Sequence, residues 1–480
     1  MYRALQLAPA LLVLLFVTAL PLWSQTTDDE AGQAEPAEEA TAEEAPAAEA
    51  NGEEASAEEG PQFGFGLGIG LGTQSFDEDG DTTVYQSATL YPTFSYGKFS
   101  MGLDLTLNYT FTGGDGNDFD IREDDWVPSD DQTAVELYLG KIRFLQWAQA
   151  GDPLFARLGS LDNVTLGNGY IMGGYTNTQF LPDRRILGAR LNLDGAVFNF
   201  PYVGFESMVA NLAAFDVFGG RFYLRPLAGT QVPVFSGLQV GSSVVTDTNP
   251  DYHADKVDKE DRTAAALDYR DPDDVLIWGA DLRLPILTEP PFTLATFSDY
   301  VRQDEANGGM LGLGGRFVQV ITYGGQLRYI GENFIPTYFD APYDLYRLEK
   351  YAAYEAERTF IEEHFGWLAS TGLSLFDDLF VTRVSMEGPF GSVDGAQNQL
   401  TGLIRLDRGL IPALSVEAQY RKVDLDSVPD IVDPEDSVIG ARVTYYTGPA
   451  AISLVYNLRY DPSIDDYVIT SGLQSEITLR

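Results

Sequence analysis

The stretch that decides the fold is Leu103-Asp104-Leu105-Thr106-Leu107-Asn108-Tyr109-Thr110-Phe111. Its odd-numbered residues are apolar or aromatic, and its even-numbered residues are polar. Because successive side chains of a β-strand point to opposite faces, this alternation predicts a strand with one apolar and one polar face. Residues 187–194, 416–421 and 452–460 follow the same rule. The sequence therefore predicts repeated amphipathic strands.

Turns and loops divide residues 62–480 into twenty traceable strands of this kind. If residue 62 lies on the inner side of a membrane, every long connection falls on the opposite side. The inner side receives tight turns such as Gly97-Lys98, Asp377-Asp378 and Gly448-Pro449. Long external loops and short internal turns are the rule for outer-membrane β-barrels. The long connections are 114–131, 161–184, 248–274, 335–365 and 425–436.

A large soluble β-sandwich or propeller is the alternative, because its strands also alternate. Such folds have no reason to place all their long loops at one end. The segments 153–160 and 219–227 alternate least clearly, so the expected number of strands is 18–20. The predicted fold is an all-β transmembrane antiparallel up-and-down barrel over residues 62–480, with one helix in a long external loop.

The first 25 residues have the features of a cleaved export signal. Arg3 gives a positive start, and the apolar run 11–17 is shorter than the ~18–20 residues that a membrane span needs. Residues 26–61 form an acidic segment, with thirteen Asp or Glu and no Lys or Arg between Asp28 and Glu59. Such a composition cannot bury enough apolar surface to fold, so we expect a disordered linker.

Charge and cysteine content exclude several classes of function. The chain has a formal net charge of −42 and no cysteine. A nucleic-acid partner is disfavoured, since phosphate recognition needs a basic face. Disulfide scaffolds, thiolate metal sites and cysteine nucleophiles are excluded as well.

Taken together, the export signal, the alternating strands, the acidic loops and the missing cysteine resemble a porin-type bacterial outer-membrane protein. The resemblance covers residues 62–480 and is one of pattern. It implies a place in the outer membrane, contact with its lipids, and insertion by the outer-membrane assembly machinery. Many such barrels end in an aromatic residue that helps assembly, whereas this chain ends Ile477-Thr478-Leu479-Arg480.

No catalytic, cofactor or metal site is predicted. Residues 113–118 match one copy of a calcium-binding repeat that works only when several copies stack. Residues 77–81 lack the glycine position and the final glutamate of a calcium loop. The segment 343–365 carries an apolar helical stripe and is the expected helix. The two histidines suggest no site, because His253 lies in a charged loop where we expect solvation, and His364 ends that helix.

Two groups of residues are candidates for a channel. Polar residues that alternate with apolar ones should project inward, and barrels of sixteen or more strands enclose an aqueous lumen. The glycine-rich part of the 161–184 loop suits a chain that folds into the barrel mouth as a constriction. The pore-lining candidates are Asp104, Arg190, Asp281, Arg283, Glu417, Arg421, Arg442 and Arg459. The constriction candidates are Gly167, Asn168, Gly169, Gly173 and Gly174.

The function expected from this pattern is a porin-like channel for passive diffusion of small hydrophilic solutes, without enzymatic activity or cofactor. The alternative is a surface-exposed adhesin or ligand-binding barrel with no open pore. In that case the predicted helix and the glycine-rich loop would fill the lumen.

Overall fold

The computed structural model describes residues 63–479, except 79–80, 113–117, 129–132, 181–183, 231, 254–272, 356–360, 394–395, 426, 434–436, 448–449 and 462–465. The predicted export signal 1–25, the acidic linker 26–61 and the turn Gly448-Pro449 lie outside these described residues.

The described strands form one antiparallel sheet. Their bounds are β1 Phe63–Glu78, β2 Asp81–Tyr96, β3 Phe99–Leu103, β4 Leu105–Thr112, β5 Asp118–Ile121, β6 Ile142–Trp147, β7 Leu154–Gly159, β8 Gly188–Asp194, β9 Val203–Val209, β10 Val217–Leu224, β11 Gln239–Asp247, β12 Val275–Leu287, β13 Leu294–Gln303, β14 Ala306–Phe317, β15 Ile321–Ile330, β16 His364–Leu375, β17 Phe380–Pro389, β18 Gln399–Ile411, β19 Leu414–Lys422, β20 Ser437–Thr447, β21 Ala450–Asp461 and β22 Asp466–Leu479.

The sheet closes on itself, because β1 pairs with β2 on one edge and with β22 on the other. Of the 22 strands, β3 and β4 are one pass interrupted at Asp104, since both pair with β2. β5 pairs with β4 and forms a hairpin extension of it. Twenty passes therefore make up the ring, which confirms the predicted up-and-down barrel of 18–20 strands. Both weakly alternating segments are strands, β7 and β10.

The alternation gives the barrel an apolar outer face. On β12, the side chains of Leu276, Trp278 and Leu282 are exposed, while the alternating residues Val275 and Ile277 are fully buried. Exposed large apolar side chains also lie on β1, β10, β14 and β15. This outer face is the surface that a barrel presents to lipid. No helix among the described residues is long and apolar enough to cross a membrane.

Three short helices occur among the described residues, in place of the one that the sequence predicted. They are α1 (Ala134–Leu139), α2 (Pro233–Ser236) and α3 (Arg347–Tyr354). The α1 helix begins with a capping box, in which the Thr133 hydroxyl accepts from the Glu136 backbone N–H and the Glu136 carboxylate accepts from the Thr133 backbone N–H. The pair Thr133 and Glu136 is a sequence signal for the start of a helix, but the strand-like alternation around it concealed this signal.

The predicted helix 343–365 is wrong in its extent. Residues 343–345 form a 3-10 turn, α3 follows, and residues 356–360 lie outside the described part. His364 is the first residue of β16 and pairs with Ile330 of β15. The hydrogen bonds between β15 and β16 use backbone N–H and C=O groups that a longer helix would have bonded internally. Strand pairing therefore replaces the helix at the end of the segment, although its apolar residues also have helical spacing.

Candidate functional site: the barrel lumen and its inward loops

The pairing register shows which side chains face the lumen, because directly opposed residues of antiparallel strands lie on the same face of the sheet. Asp281 opposes Asp299 of β13, and Arg283 opposes Phe297. On the far wall, Glu417 opposes Arg405 on one side and Arg442 on the other. Following the register strand by strand places six of the eight pore-lining candidates at inward positions, namely Arg190, Asp281, Arg283, Glu417, Arg421 and Arg442, and pairs the backbone of Arg459 with that of Val438.

The eighth candidate, Asp104, lies at the break between β3 and β4. Its carboxylate pairs with the guanidinium of Arg185, which belongs to the connection between β7 and β8. It also accepts a hydrogen bond of 2.6 Å from the Thr106 hydroxyl. Asp104 therefore holds the connection between β7 and β8 against the barrel wall.

Residues 160–187, here called loop A, connect β7 to β8 and fold into the barrel. Within loop A, Val164 and Tyr175 form an antiparallel bridge. The tip reaches β13, where the Asn168 amide donates to the Asp299 carboxylate at 2.8 Å. The Tyr170 hydroxyl lies 3.3 Å from the carbonyl oxygens of Gly309 and Tyr329.

The glycines of loop A lie where its backbone packs closely against neighbouring residues. Gly167 (φ 60°) and Gly169 (φ 85°) have a left-handed backbone that disfavours other residues. A Cβ on Gly167 would lie 3.1 Å from Nε of Arg221, so the tip rests directly on that guanidinium. Gly173 donates its N–H to Phe339 at 3.1 Å, and Gly174 donates to the Thr165 hydroxyl at 3.0 Å.

Residues 331–363, here called loop B, connect β15 to β16 and contain α3. Met172 and Phe339 form a parallel bridge between loops A and B. The Thr337 N–H donates to Tyr170 O at 2.9 Å, and the Phe339 N–H donates to Ile171 O at 3.1 Å. The two loops therefore share a short stretch of backbone pairing.

Loops A and B bury the inner face of one part of the wall. Their side chains Tyr170, Met172, Tyr175, Phe334, Phe339 and Tyr343 are at most 1 % exposed. They belong to one apolar cluster with wall residues of β9 to β15. Gly308 of β14 leaves room for this packing, because a Cβ there would lie 2.3 Å from the Phe334 ring. The wall residues of the cluster are Met208, Val217, Val245, Val275, Ile277, Val301, Met310 and Ile330.

A buried ion pair lies beneath the tip of loop A. Arg221 of β10 donates to both carboxylate oxygens of Asp281, at 2.9 and 2.6 Å. Glu206 of β9 lies 3.4 Å from the same guanidinium. Because Arg221 and Asp281 are both almost fully buried, the pair fixes the wall under loop A and is inaccessible to a solute.

A second buried cluster attaches loop B to the wall, and we call it the Arg347 cluster. Arg347 at the start of α3 donates to Asp247 at 2.6 Å and to Asp216 at 2.8 Å. The Tyr343 hydroxyl donates to Asp247 at 2.6 Å. Asp216 and Asp247 stand next to each other at the ends of β10 and β11, since Asp247 opposes Val217.

Asp344 connects the Arg347 cluster to loop A. The Tyr175 hydroxyl lies 3.1 and 3.2 Å from its two carboxylate oxygens. Burial raises the pKa of Asp344 to about 7, an effect that Arg347 opposes and that Asp216 and Asp247 reinforce. Burial therefore disfavours the charged form of this carboxyl.

His253 is buried, so its expected solvation is wrong. Its side chain is 2 % exposed and lies against the rings of Phe180 and Tyr252, at 4.6 and 4.8 Å between centroids. Burial lowers the pKa of His253 well below its usual value, with Arg347 and Arg184 acting in the same direction. Because charged residues surround His253 in the sequence, its packing against aromatic rings was not predicted.

The inner face of β17 to β20 is different, because solvent reaches its side chains. Arg383, Thr401, Gln419 and Arg442 are exposed although the register places all four inside the barrel. On β1, the inward positions Gly66, Gly68, Gly70 and Gly72 carry no side chains at all. The lumen is thus covered by loops A and B on one side and accessible to water on the other.

Arginine dominates this accessible wall. Arg316 of β14 and Arg383 of β17 are separated by Thr322 and Gly372, which are small, and Arg383 interacts electrostatically with Arg316 and Arg405. Arg421 hydrogen-bonds Gln399, and no carboxylate lies within 4 Å of it among the described residues. On β14–β20, six inward arginines face three inward carboxylates: Arg316, Arg328, Arg383, Arg405, Arg421 and Arg442 against Glu387, Asp407 and Glu417.

The sequence analysis missed Arg316, Arg328, Arg383 and Arg405. Each alternates with apolar residues in its strand, as in Leu403-Ile404-Arg405-Leu406. This alternation could have identified the four arginines as inward residues. Apolar residues on both sides of each arginine in the sequence made the polar face of the strand hard to recognise. The Arg347 cluster had no local signal, because its members come from three separate segments.

Comparison with known proteins gives structural similarity alone. No family model matches the chain, and no curated protein does. Similar solved structures include OccAB4 of Acinetobacter baumannii, with 11 % identity, a TM-score of 0.34 and coverage of 88 % of this chain and 98 % of that chain. OpdQ of Pseudomonas aeruginosa has 13 % identity, a TM-score of 0.34 and coverage of 87 % and 97 %. A mutant Rh. blastica porin has 10 % identity, a TM-score of 0.28 and coverage of 87 % and 100 %.

Because these TM-scores lie below 0.5, the fold assignment rests on the chain's own strand pairing. The ring closes, it has twenty antiparallel passes, its outer face is apolar, and two loops fold into it. Together these features make the chain a closed antiparallel up-and-down β-barrel with an apolar outer face and two inward-folded loops.

Proposed function

We propose that the protein is a porin-like channel of the bacterial outer membrane, through which small hydrophilic solutes diffuse passively. The observation that carries this proposal is the solvent exposure of Arg383, Thr401, Gln419 and Arg442 inside the barrel. Side chains of a filled lumen would be buried like those of β9 to β15. A ring of twenty passes is wide enough for an aqueous channel beside the two loops.

The charge of the accessible wall favours anions over cations. Six arginines against three carboxylates leave a positive excess along β14–β20, and a low-dielectric wall concentrates ions of opposite sign near such an excess. Gly167, Asn168, Gly169, Gly173 and Gly174 belong to the loop that narrows the passage from the other side. In this proposal the glycine-rich residues of loop A narrow the passage sterically, while the arginines attract anions.

Permeation of uncharged solutes tests the channel independently of charge. Liposomes that contain the folded barrel are expected to swell in isotonic arabinose and more slowly in larger sugars, because passage through a fixed opening depends on solute size. Liposomes with the same protein added after heat denaturation are the control. Equal swelling rates with folded and denatured protein would instead favour a ligand-binding or adhesive barrel without a pore.

The remaining regions complete the proposal. Residues 1–25 would direct export and be removed, and residues 26–61 would form an acidic periplasmic extension. Lipids of the outer membrane would surround the apolar face, and the outer-membrane assembly machinery would insert the barrel. No step of passive diffusion calls for a cofactor or a catalytic residue.

A further inference from the structure

A series of side-chain contacts runs along the inner wall from loop A to β19. It begins at Tyr170 of loop A, where the Arg328 guanidinium of β15 lies 6.0 Å from the centre of the tyrosine ring. Arg328 pairs with Glu387 of β17 at 2.5 Å. Glu387 opposes Gln399 of β18 in the sheet, and the Gln399 side-chain oxygen accepts from Arg421 of β19 at 3.2 Å. The contacts therefore follow the wall across five strands.

Loop B closes this series on the lumen side. Lys350 of α3 donates to the Tyr338 carbonyl at 2.7 Å, and the neighbouring Thr337 N–H donates to Tyr170 O at 2.9 Å. Burial lowers the pKa of Lys350, and the guanidinium of Arg421 acts in the same direction. The two cations therefore lie close together, because the interaction between charges weakens with distance. Nε of Arg421 is also buried without a hydrogen-bond partner, although Arg421 belongs to the accessible wall.

These contacts define a ring of side chains, here called the mouth ring. Its wall members lie close to the strand ends that lead into long connections, since β15 ends at Ile330, β17 at Pro389 and β19 at Lys422. On β18, the member of the ring is the first residue of the strand. The members of the mouth ring are Tyr170, Arg328, Glu387, Gln399, Arg421 and Lys350.

The lumen is wider on the inner side of the mouth ring. Gln399 and Arg421 are half-buried, whereas Thr401 and Gln419, the next inward residues of the same strands, are exposed. Side chains that line a narrow section cover one another, while water reaches those that line a wider section. The change in exposure therefore places the narrow section at the mouth ring and the wider section behind it.

We propose that the mouth ring is the constriction of the channel, where a solute contacts Arg421 and Lys350 before it reaches the arginine wall. Carboxylates hold two of its cations in place, since Arg328 pairs with Glu387 and Lys350 pairs with Asp340 at 2.6 Å. Arg421 has no such carboxylate partner among the described residues, so its charge is available to an anionic group of the solute. This assignment rests on the proposed channel.

A cross-link tests the geometry of the mouth ring without measuring conduction, since the protein has no cysteine of its own. In barrels that carry Lys350→Cys and Arg421→Cys, a short bifunctional thiol reagent is expected to join loop B to β19 and so to change the gel mobility of the denatured chain. Lys350→Cys with Glu417→Cys is the matched control, because Glu417 lies on the same face of β19 but farther from the mouth ring. No cross-link in the first pair, or an equal yield in both pairs, would overturn the proposal.

Single-channel current then tests whether the mouth ring is the narrowest section. Biotin maleimide attached to Arg421→Cys is expected to remove most of the current, because a bulky adduct obstructs a narrow path. The same adduct on Gln419→Cys, one inward position farther from the mouth, should leave most of it. If Arg421→Cys barrels do not fold, Gln399→Cys and its control Thr401→Cys replace this pair. Equal losses at both positions of a conducting barrel would overturn the constriction alone, whereas unmodified barrels without current would refute the channel and the constriction together.

Discussion

Barrels that carry Arg316→Gln, Arg383→Gln and Arg442→Gln together are expected to lose their preference for anions. No carboxylate lies within 4 Å of any of these three guanidinium groups among the described residues, so none of them is held in a direct ion pair, and Glu417 opposes only Arg442 among the three. One unit charge at close approach is worth about 1 kcal/mol in water. Three such changes leave the inner face of β14–β20 without a positive excess.

The reversal potential of a planar bilayer under a KCl gradient measures this change. The triple variant should shift it by tens of millivolts toward the cation potential, at unchanged stability of the folded barrel. Arg302→Gln is the matched control, since Arg302 opposes the outward-facing Trp278 and so lies on the outer side of β13. A triple variant with the reversal potential of the unmodified protein would show that ions do not pass along the arginine wall.

Removal of residues 334–360 is expected to enlarge the channel. Asn333 and Ile361 already meet at the base of loop B, where two hydrogen bonds of 3.0 and 2.9 Å join them, so a short glycine linker can replace the segment without strain. Single-channel conductance should roughly double or more, since a barrel of twenty passes is wide enough to carry water once its filling is reduced.

The same deletion should weaken the fold. Val217, Val245 and Val275 lose part of their cover, and a buried side chain of this size contributes about 1.5–3 kcal/mol. The temperature at which the folded band disappears in gel electrophoresis should therefore fall. Deleting Ser427–Asp433 from the loop between β19 and β20 is the control, because that segment contacts the outward-facing Tyr420. Unchanged conductance after removal of 334–360 would mean that loop B does not occupy the conducting path.

The sequence predicted the barrel well, because strand pairing is governed by a pattern of period two. The outward residues of β12 and the inward residues of β19 are fixed by alternation alone, and a shift by one residue would turn Trp278 inward and Glu417 toward lipid. The length of each connection then fixed which end of the barrel it occupies. Strand number, direction and facing therefore followed from local information.

The interior was less predictable, since it depends on contacts between distant segments. Arg347 meets Asp216 and Asp247 across 131 and 100 residues, and Tyr175 meets Asp344 across 169. No local pattern reports such distances. The helix prediction failed for a related reason, because the ladder that β16 forms with β15 took over residues whose apolar stripe also suits a helix. Glycine in loop A did indicate close packing, although not which residues it would contact.

The most direct test of the channel is the single-channel current of the unmodified protein in a planar lipid bilayer. A lumen that is open beside loops A and B should give discrete conductance steps, with a reversal potential on the anion side under a KCl gradient. Folded protein that inserts into the bilayer and passes no current would contradict the account, and would leave the closed, ligand-binding barrel as the explanation of the same fold.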